Sequence, residues 1–366
     1  MPTPLHHRAR LIARASAPFS EFLGSFRAND LIHWLDGELG NHSALGHFIP
    51  HGRIRSRAIP ARNILHIVSG NTPHGGMQSL LNGLILGAYN FVKTPSGGLP
   101  ELEAYVDALP TELKSLVTLS PTIPDSWWAR ADAVIATGSD ASMAEIQKKI
   151  QPGQKFITHG HKLSIGIIAE PAGKSLRELA QLAVNDICRY NQHGCLSSQA
   201  IYVKSSDQLS VREFANQLAD VMAEYEIQNP RGEIDISSAG AISNARETYR
   251  FLAANCPDAD IWQSADDTSW TVIYEQSPVL KASPLNRFIY VRPLPDDLSQ
   301  LGPELRYLST AAVHPFTAEV AESFSHLPAS RLCALGESQN PTLFWHHDGY
   351  ASIAELVSWQ DIDLPM

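Results

Sequence analysis

Four thiols are the residues most able to do chemistry here, and their surroundings are unequal. Cys195 stands in Asn191-Gln192-His193-Gly194-Cys195-Leu196-Ser197-Ser198, small and polar residues that make poor core material, just ahead of an apolar run over 199–203. That placement predicts a thiol at the edge of a cleft. A thiolate attacks thioesters and aldehydes readily, and positive charge or a helix N-terminus nearby favours it. Cys188, Cys256 and Cys333 read instead as small buried hydrophobes. Asn71, in Gly70-Asn71-Thr72-Pro73, offers an amide donor to the charge that develops on a carbonyl oxygen during acyl transfer. The same four residues also suit a plain turn. Lys93 closes the next apolar run. Ala136-Thr137-Gly138-Ser139 follows another run and opens a helix, where backbone N–H groups beside a glycine make a seat for a pyrophosphate. Ser139 equally reads as an N-cap.

The elements that must position these residues alternate. Short apolar runs over 64–68, 91–93, 133–136, 155–158 and 165–168 read as strands, with helices over 76–89, 99–108, 139–150 and 175–190 between them. Strands separated by helices of ten or more residues predict parallel α/β units, with ligands at the C-terminal ends of the strands. Residues 1–60 read as a leading helical section that ends in a Gly-, His-, Pro- and Arg-rich loop over 41–60. After Cys195 the pattern begins again: strand 200–204, helices 211–225 and 241–254, strands near 271–274, 288–291 and 331–335. The chain is therefore expected to be α/β with two domains divided near residue 185: residues 1–185 hold the helical section and a dinucleotide-binding domain, and 186–366 a thiol-bearing catalytic domain with a C-terminal tail.

Composition narrows the function. A net charge of −10 leaves no basic stripe for nucleic acid. No apolar run reaches the roughly 18 residues of a membrane span, and residues 1–14 lack the pattern of a secretory leader. Four cysteines in 366 residues do not build a disulfide framework, so a reducing, cytoplasmic setting is expected. Fifteen histidines include the clusters His6-His7, His159-Gly160-His161 and His346-His347-Asp348, but no His-Glu-x-x-His or Cys-x-x-Cys occurs and no metal is expected. Neither a Gly-x-Ser-x-Gly elbow nor a Gly-x-Gly-x-x-Gly fingerprint is present.

Asp186-Ile187 in a helix, then Gln192-His193-Gly194-Cys195-Leu196-Ser197, together with Asn71-Thr72-Pro73 and Lys93, resemble the acyl-CoA reductase branch of the aldehyde dehydrogenase superfamily, which includes the bacterial luminescence fatty acyl reductases. The resemblance runs discontinuously over 64–203, with weaker support in 343–359. It implies an aldehyde dehydrogenase-like fold, a Rossmann-type cofactor domain plus an α/β catalytic domain. It also implies NADPH-dependent reduction of a fatty acyl-CoA to its aldehyde, with NADH the open alternative and Cys195 carrying the acyl group. Asn71 and the Cys195 amide would hold the oxyanion. Ser69, Gly70, Lys93, Ser96, Gly138, Ser139, His159 and Gly160 would hold the cofactor, with Lys93 at the adenosine ribose. The oxidative members' Glu-Leu-Gly-Gly-Lys is replaced by Thr158-His159-Gly160-His161-Lys162, without the carboxylate that activates water, which suits a reductase. The proton donor is left among His159, His161 and His193, and Asp348-Gly349 reads as a turn. A homo-oligomer and a partner that activates or transfers acyl groups also follow from the resemblance. Another acyl donor (acyl-carrier protein or acyl phosphate) and a non-catalytic, cofactor-binding member of the fold stay as alternatives.

Overall fold

The computed structural model describes residues 4–363. The chain forms two compact units: one runs from the N-terminus to His161 and resumes at Thr342, and the other is Lys162–Pro341. The division falls at 161/162 and not near 185. The strand Leu163–Ile168, buried at every position, lies between Ser198–Val203 and Leu308–His314 in the second unit's sheet, so the chain changes units before the helix Leu176–Cys188. The C-terminal tail likewise belongs to the first unit, because Val357–Asp363 pairs antiparallel with Ile54–Pro60.

The first unit holds a five-stranded sheet of Asn63–Ile67, Tyr89–Lys93, Val117–Ser120, Ala133–Thr137 and Lys155–His159. Every neighbouring pair is parallel, and the spatial order is third, second, first, fourth, fifth. This is a doubly wound order, whose direction reverses between Asn63–Ile67 and Ala133–Thr137 and opens a crevice at their C-terminal ends. The helix Pro73–Leu86 follows the first strand. Proline at its first position supplies a preset φ where no N–H is needed. Gly87 ends it with φ 76°, donating back to Gly83 and Leu84 carbonyls. Gly83 is fixed by close approach, since a Cβ there would come within 1.8 Å of Asn90 Oδ1. Asn90 in turn meets Nε2 of the fully buried His66, whose Nδ1 meets Ser79 Oγ. Burial holds His66 down to about 4. The expected loop at 41–60 contains a hairpin, Ile49–His51 with Ile54–Pro60, to which the tail adds the third strand.

The second unit is a seven-stranded sheet in the order Ala259–Gln263, Thr271–Glu275, Phe288–Pro293, Ser198–Val203, Leu163–Ile168, Leu308–His314, Arg331–Ala334. Only the first pair is antiparallel. Helices Leu176–Cys188 and Val211–Gln228 cover one face and Ile236–Asn255 the other. A capping box of Ser175 and Glu178 starts Leu176–Cys188. Asp186, fully buried near the end of that helix, accepts from Gly336 N at 2.7 Å and Ser338 N at 2.9 Å, tying the helix to the loop after the edge strand.

Burial pushes the Asp186 carboxyl up to about 6, against the pull of those backbone donors and of Arg331. The unfolded value is roughly 3.9. The native state therefore holds an extra proton between the two, and the stabilisation is full below the lower value and lost as pH rises through the upper one. Asp186→Asn removes that dependence. The stability of the native protein relative to the variant is expected to fall by about 2 kcal/mol from pH 4 to pH 7. Urea unfolding at both pH values measures it, and an unchanged difference would refute the assignment.

Candidate active site

Cys195 owes its position to a break in the helix before it. Leu176–Cys188 stops at Cys188, Arg189 is extended, and Tyr190, Asn191 and Gln192 all take left-handed backbone, with φ of 53°, 52° and 68°. A second left-handed triplet, Leu285, Asn286 and Arg287, has φ of 62°, 57° and 65°. Non-glycine residues resist this region by roughly 1–2 kcal/mol each, so side chains must hold both triplets. Gln192, fully buried, donates to Ser198 O at 2.8 Å and Phe288 O at 2.9 Å and accepts from Phe288 N at 2.9 Å. Arg287 donates to Asn191 Oδ1 at 3.1 and 2.7 Å. His193 Nε2 lies 2.9 Å from Asn286 Oδ1. The two triplets thus brace one another, and the chain leaves them in the turn that carries Cys195.

That turn is pinned at both ends. Ser164 Oγ donates to the Cys195 carbonyl at 2.7 Å, and Gln339 Nε2 donates to Ser197 Oγ at 2.9 Å. Cys195 is half-buried, whereas burial pushes the Cys188 and Cys333 thiols up to about 12. Cys256 is also half-buried and caps the far end of the helix Ile236–Asn255. Cys195 precedes the strand Ser198–Val203 and so lies at that strand's entry edge. The expectation of buried fillers holds for Cys188 and Cys333.

In the first unit the other expected residues gather at the C-terminal edge of the sheet. Ser69, Gly70 and Asn71 follow the first strand, with Gly70 and Asn71 exposed. Gly70 lies against Pro95, which a Cβ would meet at 3.2 Å. Lys93 ends the second strand, half-buried and level with Ile67 in the register. Ser96, exposed, lies in the turn after it. Gly138 and Ser139 follow the fourth strand; Gly138 N donates to His159 O at 3.1 Å, and Ser139 Oγ caps the helix Asp140–Gln147 by accepting from Ser142 N. Gly160 leaves room for Asp140, whose Oδ1 accepts from His161 N at 2.8 Å and would lie 2.6 Å from a Cβ at Gly160. The edge suits an extended anionic dinucleotide: a switch-point crevice, a helix N-terminus beside a glycine, and a lysine ammonium with no hydrogen bond among the described residues.

His159 departs from the cofactor group. Its side chain is 11 % exposed and turns into a crevice lined by Gly75, Ser79, Thr137 and His347, where Nδ1 lies 2.8 Å from Oδ2 of Asp348. His347 stacks on it, centroids 3.9 Å apart and planes 13° apart. Two of the three histidine clusters noted in sequence therefore meet across 189 residues, which no local pattern discloses. His159, His347 and Asp348 bring ligand atoms within 4.8 Å of one another. Stacked imidazoles, however, direct their in-plane lone pairs side by side, whereas a shared ion must lie in both ring planes. The arrangement is that of a hydrogen-bonded pair with a stacked neighbour. Of the other proposed proton donors, His161 is exposed and His193 is bound to Asn286.

Among the described residues no helix is long and apolar enough to cross a membrane. The chain is 23% identical over 347 residues to long-chain acyl-protein thioester reductase 2 of Photobacterium leiognathi, covering 90% of this chain and 70% of the relative. It is 25% identical over 344 residues to the long-chain acyl-protein thioester reductase of Photorhabdus luminescens, covering 90% and 69%. In structure it is similar to an NAD-dependent benzaldehyde dehydrogenase from Corynebacterium glutamicum, with a TM-score of 0.65 at 15% identity over 99% of this chain and 86% of that one. The fold is thus aldehyde dehydrogenase-like. A family model described as acyl-CoA reductase (LuxC) matches residues 10–359, nearly the whole chain, and the protein belongs to that family of oxidoreductases.

Proposed function

We propose that this protein reduces a long-chain acyl thioester carried on a protein to the fatty aldehyde, with Cys195 as nucleophile. The observation that carries the reading is the braced turn, which holds a half-buried thiol outside both cores while burying Cys188 and Cys333. The relatives named as acyl-protein thioester reductases favour a protein-borne donor over free acyl-CoA. Cys195 attacks the carbonyl carbon, the electron pair moves to the carbonyl oxygen, and the Cys195 backbone N–H would donate to that oxygen. Collapse expels the donor thiol and leaves the acyl group on Cys195. A reduced nicotinamide, when bound, supplies the hydride that turns this acyl group into the aldehyde. Ser69, Gly70, Ser96, Gly138, Ser139 and Gly160 would form its seat, His159 would contribute only main chain, and Lys93 would meet the ribose and a 2′-phosphate, which would favour NADPH.

Cofactor oxidation by the purified protein, with one fatty acyl group presented in turn on a carrier protein and on CoA, tests the substrate class. Faster turnover of the carrier-bound form is expected; a preference for CoA would restore acyl-CoA as the substrate. Lys93→Ala is expected to weaken NADPH about tenfold, the loss of one charge-assisted contact, with little change for NADH. Fluorescence titration of both cofactors measures this, and equal losses would sink the 2′-phosphate assignment.

A further inference from the structure

The crevice beside His159 lies wholly in the first unit, between the helix Pro73–Leu86, the strands Ala133–Thr137 and Lys155–His159, and the tail at 347–355. The hydrogens on its walls can be placed. Asn90 Nδ2 donates to Ala88 O at 2.7 Å, so Asn90 Oδ1 accepts from His66 Nε2 at 3.0 Å. Burial keeps His66 neutral, down at about 4, which leaves Nδ1 a lone pair that accepts from Ser79 Oγ at 2.7 Å. With its hydrogen committed to His66, Ser79 offers the crevice only lone pairs. The Asp348 carboxylate likewise accepts, so in the neutral His159 ring Nδ1 carries the hydrogen and Nε2 a lone pair. That Nε2 has no hydrogen bond among the described residues. Asn82 neighbours Ser79 on the same helix face. It is 8 % exposed, and its Oδ1 is buried with no partner among the described residues, an orphan that calls for a donor. Glu355 stands exposed at the mouth and makes no ion pair among the described residues. Gln78 and Tyr350, also on the lining, can donate or accept.

Four acceptors thus line one crevice that no lysine or arginine enters, and Asp348, its side chain 1 % exposed, adds negative charge behind His159. The free space is about 30 Å³, room for one or two guests the size of water. A water brings two hydrogens and no charge, whereas an ammonium nitrogen brings a positive charge and as many as four. Alkali ions favour oxygen ligands, so an imidazole nitrogen on the wall suits ammonium better than potassium. We propose that the crevice binds one primary ammonium group, as free ammonium or as the end of an alkylamine, through Ser79, Asn82, His159 and Glu355. Its acceptors come from the helix Pro73–Leu86, the strand Lys155–His159 and the tail, so the bound group ties the tail to the body of the first unit.

Heat unfolding of the full chain at pH 7.5, in the chlorides of ammonium, methylammonium, potassium and tetramethylammonium at one ionic strength, tests the site. Ammonium is expected to raise the midpoint by about 2–4 °C over tetramethylammonium, which has no N–H, and potassium by less than about 1 °C. A methylammonium shift equal to that of ammonium means that the site takes amine ends; a shift with ammonium alone means that it takes the free ion. Ser79→Ala and Glu355→Gln are each expected to lose most of the ammonium shift. Glu355→Gln, an exposed change, keeps the native midpoint in tetramethylammonium and so separates lost binding from lost folding. Nitrogen-15 NMR locates the ligand: the His159 Nε2 resonance is expected to move on adding ammonium to native protein and to stay in place in Glu355→Gln. Equal midpoints in all four salts, potassium matching ammonium, or an ammonium shift that survives Glu355→Gln overturns the proposal.

Discussion

Cys195→Ser is expected to abolish aldehyde formation, lowering turnover by more than about 10⁴-fold, the scale on which a catalytic nucleophile is missed. A serine hydroxyl in the same turn keeps the size and the hydrogen-bonding environment but not the nucleophilicity. No other thiol can substitute. Cys188 and Cys333 lie in the core of the second unit, where burial pushes both up to about 12. Cys256 closes a helix whose other residues take no part in the site, so Cys256→Ser is the control and is expected to retain full activity. The same rate of cofactor oxidation in native protein and Cys195→Ser would remove covalent catalysis from the account.

Gln192→Leu is expected to be the most damaging substitution away from the reacting groups. Leucine fills nearly the same volume, so packing survives and the polar loss is isolated. Three buried backbone groups lose their partner at once: the carbonyls of Ser198 and Phe288 and the Phe288 amide. At about 1–3 kcal/mol for each buried group left without a partner, the second unit is expected to lose at least about 3 kcal/mol. The left-handed triplets would then relax and carry Cys195 with them, so activity falls together with stability. Urea unfolding, with hydrogen exchange at the Phe288 amide, measures both the magnitude and the place. A loss below about 1 kcal/mol, with the Phe288 amide still protected, would mean that Gln192 does not brace the turn.

Much of this architecture can be read from the chain. The apolar runs at 64–68, 133–136 and 165–168 are continuous because parallel strands bury both faces, and that pattern is local. The parts that were not legible have identifiable causes. The strand Ile54–Pro60 buries only Ser56 and Ala58 and leaves Arg55 and Ile59 exposed, too faint an alternation to stand out beside Pro50 and Gly52. Pro50 is tolerated because Ile49–His51 is an edge strand. The expected boundary near 185 followed the thiol motif, whereas the sheet recruits Leu163–Ile168 first. Left-handed backbone at Tyr190 and Asn191 has no glycine to announce it, since its stabilisation comes from Gln192 and from Arg287, nearly a hundred residues away. The pairing of His159 with Asp348 is hidden for the same reason, although the two histidine clusters pointed to the segments concerned.

The covalent intermediate is the central claim, and intact-protein mass spectrometry followed by peptide mapping, after mixing the native protein with a fatty acyl thioester without cofactor, addresses it most directly. One acyl group per chain on the peptide holding Cys195, discharged as aldehyde when reduced nicotinamide is added, is the expected result. Acylation confined to Cys256, or aldehyde formed with no acyl-protein at any time, would contradict it.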